Sequence, residues 1–142
     1  MKPANILLKD DGIACITDFG LARDTQVDRK LTRPGQMLGT MHYMAPEQIE
    51  ISPVGPYTDV YSLACVVWEC LIGHTPFADR PGMGVMLAQL ESMPENPSDV
   101  DEAIPRAVGD AIMTALAKKP EERPQSAVGF ATLVRTAAGA LA

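Results

Sequence analysis

Apolar residues along this chain are densest between Tyr57 and Gly73. There Val60, Leu63, Ala64, Val66, Val67, Trp68, Leu71 and Ile72 cover almost every side of a helix. A surface helix keeps a wide polar stripe, whereas one that is apolar all round is normally buried. About fourteen residues make a rod of roughly 21 Å, too short to span a bilayer. Thr58 or Asp59 can cap its start through a side-chain oxygen, and Gly73 suits the left-handed residue after its last turn. The pattern predicts a central helix with protein packed around it.

The flanking segments carry narrower patterns. Val108, Ala111, Ile112, Ala115 and Leu116 recur at helical spacing between Pro105 and Pro120, which predicts a helix with one core-facing stripe. Ala127, Phe130, Ala131, Val134 and Ala137 repeat the pattern in a last helix from Ser126 to about Ala138. A helical stretch from Glu47 through Ile51 and a short helix from Val85 to Leu90 are expected, with an acidic loop from Pro94 to Pro105. At the start, Ile6-Leu7-Leu8 and Ile13-Ala14-Cys15-Ile16 flank Asp-Gly turn chemistry at Lys9–Gly12 and read as a hairpin. Pairing across that turn sets Leu8 near Ile13, Ile6 near Cys15 and Asn5 near Ile16. From Leu21 to Leu38 periodicity is lost and the chain reads as a loop.

Composition narrows the class. The 142 residues suit a single domain, and 46% apolar with 21% charged residues is a globular balance. A net charge of −6 argues against a nucleic-acid or anionic-membrane partner. Cys15, Cys65 and Cys70 are odd in number and contain no Cys-x-x-Cys pair, so neither a disulfide framework nor a zinc site is predicted. Buried free thiols are expected, and His42 and His74 read as structural or surface residues. No signal peptide or apolar run of eighteen residues occurs, and a reducing cytoplasm is the expected setting.

Chemistry concentrates at the open end of the hairpin, where Asn5 and Asp18 converge within the ~5–8 Å of cross-strand neighbours. An amide oxygen and a carboxylate at a strand end can hold a hard cation such as Mg²⁺, which completes its shell with waters and phosphates. Lys2-Pro3-Ala4-Asn5, Asp18-Phe19-Gly20, Gly39-Thr40-Met41-His42-Tyr43-Met44-Ala45-Pro46-Glu47 and Glu122-Arg123-Pro124 then follow in order.

That succession, over residues 2–135, resembles the larger lobe of the eukaryotic-type (Hanks-type) serine/threonine protein kinases of bacteria, from the catalytic loop onward. The resemblance implies a mainly α fold of the α+β kinase family with a short β-hairpin at the start, and a partial kinase domain over 1–142. It gives Lys2 the place of the catalytic-loop lysine that supports the transferring phosphate. Asn5 and Asp18 take the places that hold Mg²⁺ and, through it, ATP. Thr25 and Thr32 become activation-loop phosphosite candidates, Thr32 with the better local charge from Lys30 and Arg33. Thr40 becomes the substrate-platform threonine that faces the catalytic Asp, and with Lys2 it points to serine/threonine specificity. Glu47 is expected to pair with Arg123, and Asp59 to fix the catalytic-loop backbone. Protein substrates or protein partners are implied.

The chain also departs from the family pattern. It contains no Gly-rich loop, no strand lysine and no helix glutamate to pair with it. In His-Arg-Asp-x-Lys, Met1 fills the x position, so the catalytic Asp is expected immediately before it, encoded in frame upstream. Two readings of different class follow. One is an ATP-dependent protein serine/threonine kinase seen as a truncated domain, inactive alone and weak in nucleotide binding. The other is a non-catalytic module whose peptide platform binds proteins without chemistry.

Overall fold

The computed structural model describes residues 1–17 and 39–139. Asp18, Thr25 and Thr32 lie outside the described residues.

Lys2 leads a 3₁₀ turn at Pro3–Asn5, which opens directly into an antiparallel hairpin of β1 (Ile6–Leu8) and β2 (Ala14–Ile16). Ile6 lies opposite Ile16, Leu7 opposite Cys15 and Leu8 opposite Ala14, one residue away from the expected register. Gly12 is the cause. Its φ of +79° is left-handed, so the loop takes three residues, closed by Gly12 N–H to Lys9 O (2.9 Å) and Lys9 N–H to Ile13 O (2.9 Å). A turn followed by a left-handed glycine is the three-residue hairpin solution. The slip makes Thr17 the partner of Asn5, its N–H donating to Asn5 O at 2.8 Å.

Helix α1 (Pro46–Ile49) starts on a proline at its first position, and Gln48 Oε1 accepts from Ala45 N–H (3.1 Å). It stops short of Ile51, which takes a left-handed φ of 57° with its side chain in solvent. Helix α2 (Pro56–Ile72) is the central element. Pro56 occupies the first position and Gly55 caps it, so neither Thr58 nor Asp59 is the cap residue. Proline's fixed φ and missing N–H suit a first turn, which moves the start upstream of the expected one. Thr58 instead sits one turn in, its hydroxyl accepting from Gly55 N–H at 3.1 Å. Gly73 ends the helix at φ +88°, as its place in the sequence predicts.

Val60, Tyr61, Ala64, Cys65, Val66 and Trp68 of α2 are buried, while Leu63, Val67 and Ile72 are partly covered and Leu71 is exposed. Helix α3 (Met83–Glu91) follows. A short α4 (Pro97–Val100) then occupies the stretch read as a loop, because Asn96 caps it and Pro97 opens it. In α5 (Arg106–Ala115), Val108, Ala111, Ile112, Ala115 and the following Leu116 are all buried as their spacing predicts. Helix α6 (Ala127–Gly139) buries Phe130 and rests Val134 and Ala137 on the core, but Ala127 and Ala131 face solvent. Trp68, Tyr61, Ile112, Leu116 and Phe130 are the large side chains at the centre, where α2 meets α5 and α6. Of the thiols only Cys65 is buried, and burial pushes its pKa up to about 12. Cys15 is half-buried and Cys70 exposed, contrary to the expectation for all three. Among the described residues no helix is long and apolar enough to cross a membrane.

Candidate functional site

Pro3 cannot donate a backbone hydrogen bond, and its ring favours an extended conformation at the residue before it. Lys2 is accordingly extended (φ −155°, ψ 160°), and the turn behind it closes through Asn5 N–H to Lys2 O at 2.9 Å. This places the Lys2 ammonium against a residue 38 positions away: Nζ donates to Thr40 Oγ1 at 3.3 Å. An open cleft of about 360 Å³ lies there, lined by Lys2, Pro3, Ala4, Gly39, Thr40, Tyr43 and Glu69. A larger cavity of about 480 Å³, lined by residues including Glu50, Pro53, Tyr57 and Glu121, shares no residue with it. Lys2, Gly39, Thr40 and Tyr43 of the motifs line the smaller one, whereas Pro46 and Glu47 line the larger.

The wall of this cleft is braced from helix α2. Tyr43 OH donates to Glu69 Oε2 at 2.6 Å, and Ser62 Oγ donates to Tyr43 O at 2.8 Å. Burial, with the hydrogen bond and negative charge of Glu69, raises the Tyr43 phenol well above its ordinary pKa, so it stays a donor at neutral pH. His42 is tied by Nδ1 to Thr75 Oγ1 at 2.9 Å, a structural use of the ring.

Behind the cleft, Glu47 and Arg123 meet. Arg123 Nη1 donates to Glu47 Oε1 (2.8 Å) and Nη2 to Glu47 Oε2 (3.0 Å), with both residues 3% exposed. Thr58 Oγ1 adds a third donor to the carboxylate at 2.7 Å. The guanidinium is satisfied on its other edges by Ala117 O, Lys118 O and Tyr57 O, and it lies 4.8 Å from the centroid of the Tyr61 ring. Burial alone would raise the Glu47 pKa. Hydrogen bonds from Arg123, its own amide and Thr58, together with the Arg123 charge, outweigh it and hold the carboxyl below its ordinary range. Asp59 Oδ1 lies 3.9 Å from the Met1 nitrogen, with the Asp59 side chain largely exposed.

Asn5 is half-buried at the base of the hairpin. An amide oxygen here and the carboxylate of Asp18 are hard oxygen donors, the chemistry Mg²⁺ takes. No group of three or more His, Cys, Asp or Glu among the described residues could hold a metal. Three bracing residues, Ser62, Tyr43 and Glu69, carry no motif role in the sequence. The available signal was polarity, since Ser62 and Glu69 interrupt the most apolar helix of the chain.

Residues 1–133 match the family model described as the protein kinase domain. The chain is 42% identical over 128 residues to the serine/threonine-protein kinase PknH of Mycobacterium bovis, covering 89% of this chain and 21% of that one. It is 37% identical over 133 residues to the DNA damage-responsive serine/threonine-protein kinase RqkA of Deinococcus radiodurans, covering 94% and 20%. With PknE of Mycobacterium tuberculosis it shares 41% over 123 residues, covering 87% and 21%. The chain thus spans about a fifth of the length of these curated relatives. The solved structure of PpkA-294 in its apo form superposes with a TM-score of 0.71 at 24% identity, over 94% of this chain and 44% of that one, a likeness of fold. The chain belongs to the protein kinase domain family, as the larger-lobe portion of a eukaryotic-type bacterial serine/threonine protein kinase.

Proposed function

We propose that this chain supplies the peptide-receiving and metal-holding lobe for transfer of the ATP γ-phosphate to serine or threonine of a protein. The observation that carries this reading is the 3.3 Å hydrogen bond from Lys2 Nζ to Thr40 Oγ1 in an open cleft. A hydroxyl and an ammonium side by side suit an incoming serine or threonine side chain and the phosphate it receives. Phosphoryl transfer depends on positioning and on charge stabilisation, for which a fixed cation beside the acceptor is suited.

In this reading Lys2 holds charge on the transferring group, and Thr40 orients the acceptor hydroxyl. Tyr43 shapes the cleft wall under the hold of Glu69, and Asp59 steadies the turn that carries Lys2. Asn5 and Asp18 would hold Mg²⁺, which when bound with ATP neutralises charge on the β- and γ-phosphates. Thr32, and less favourably Thr25, would be phosphosites. Three free cysteines suit a reducing cytoplasm.

Transfer also requires a base for the acceptor proton and a lysine that orients ATP, and neither motif occurs in these 142 residues. We infer that the 142 residues alone bind peptide but transfer no phosphate, and that they hold Mg·ATP weakly. NMR titration with a serine/threonine peptide library tests the platform. Shifts are expected at Lys2, Thr40 and Tyr43, weakened in Thr40→Ala and retained in Thr40→Ser. Equal binding by Thr40→Ala and the unaltered chain would remove Thr40 from the role.

A further inference from the structure

Two consecutive carbonyls beside Thr40 are held by side chains from two separate helices. Gln89 Nε2, from α3, donates to His42 O at 2.8 Å, and Ser62 Oγ, from α2, donates to Tyr43 O at 2.8 Å. Gln89 is 0% exposed, and its Oε1 accepts from the Tyr61 hydroxyl. Lys118 Nζ in turn donates to Tyr61 Oη at 3.1 Å and to the Gln89 carbonyl at 2.8 Å. Burying a carboxamide is costly unless its donors and acceptor find partners. An apolar side chain would fill this place more simply, as Val85 and Ala88 do on the same helix. What the carboxamide adds is a donor aimed at the cleft segment.

We propose that Gln89, together with Ser62, is a positioning residue that fixes the His42 and Tyr43 carbonyls and so sets Thr40 against Lys2. This rests on the reading of Thr40 as part of a peptide platform. The segment needs such support. Its internal turns close through Tyr43 N–H to Thr40 O at 3.2 Å and Met44 N–H to Met41 O at 3.3 Å, both at the long end for such bonds.

The test uses the whole chain, with amide protection followed by NMR. Gln89→Leu removes the carboxamide's hydrogen bonds to His42 O and Tyr61, together with its contact to Cys65. Above the pKa of the introduced carboxyl Gln89→Glu still accepts from Tyr61 but has no donor for His42 O, and protonation of that carboxyl restores one. Tyr43 and Met44 are expected to lose about tenfold protection in both variants, while Ile112 and Ala115 keep theirs. On acidification Gln89→Glu recovers and Gln89→Leu does not. Unchanged protection at Tyr43 and Met44, loss in step with Ile112 and Ala115, or no recovery of Gln89→Glu would each overturn the proposal. Should the Gln89 variants not fold, Ser62→Ala gives the same readout through the Tyr43 carbonyl. If the amides loosen as expected but the unaltered chain binds no serine peptide, the anchor stands and the platform reading falls.

Discussion

Arg123 grips Glu47 across 76 residues of chain through two parallel hydrogen bonds of 2.8 and 3.0 Å, out of contact with water. This pair fastens the segment that follows Thr40 to the turn that precedes α6. Removing one partner leaves a buried charge alone, which costs roughly 3–5 kcal/mol. Glu47→Gln and Arg123→Met should each lower the urea midpoint accordingly. The double variant Glu47→Gln/Arg123→Met should lose clearly less than the sum of the single changes. Additive losses would show that the two groups act independently.

The same pair fixes a sign for acid unfolding. The folded pKa of Glu47 is depressed, so its contribution is present above the unfolded value and disappears as pH falls through the folded one. Lys118 behaves differently. Desolvation lowers its pKa from 10.5 to about 8, although its ammonium reaches Tyr61, Ala88 O and Gln89 O and lies over the Tyr61 and Phe77 rings. Between those two values the unfolded chain binds the extra proton, so this group adds stability as pH rises. The stability difference between the unaltered chain and Lys118→Met should grow in favour of the former from about pH 8 upward. A difference flat across that range would mean that Lys118 keeps an ordinary pKa.

Ile51 is a β-branched residue in the left-handed region, with a φ of 57° and 90% of its surface exposed. That conformation costs an L-residue roughly 1–2 kcal/mol, and the side chain buries almost nothing to offset it. Ile51→Gly should therefore raise thermal stability by about 0.5–1 kcal/mol, after allowing for glycine's freer unfolded chain. A fall in melting temperature would show that Ile51 is held by packing.

Sequence patterning made the architecture legible where periodicity and punctuation agree. The α5 stripe lies between two prolines, and Gly73 could stop α2 only in a left-handed turn. Registers were less legible. The Asp-Gly pair suggested a two-residue hairpin turn, but a left-handed Gly12 takes a third residue and shifts every pair by one. Pro56 and Pro97 open helices that the apolar pattern alone does not place, which moves the entry of α2 by about one turn and adds the whole of α4. For the site, the Lys2 and Thr40 motifs could be read directly. Gln89 and Ser62 could not, because their value lies in which carbonyls they meet, and no local pattern encodes a contact 47 or 19 residues away.

We infer a division of labour, in which these 142 residues supply a peptide platform and metal donors but not the base or the ATP-orienting lysine. Radiolabelled phosphate transfer from Mg·ATP to a generic serine/threonine protein substrate measures it most directly. No incorporation by the chain above a protein-free control is expected. Steady incorporation into serine or threonine that is abolished by Asp18→Ala would contradict it.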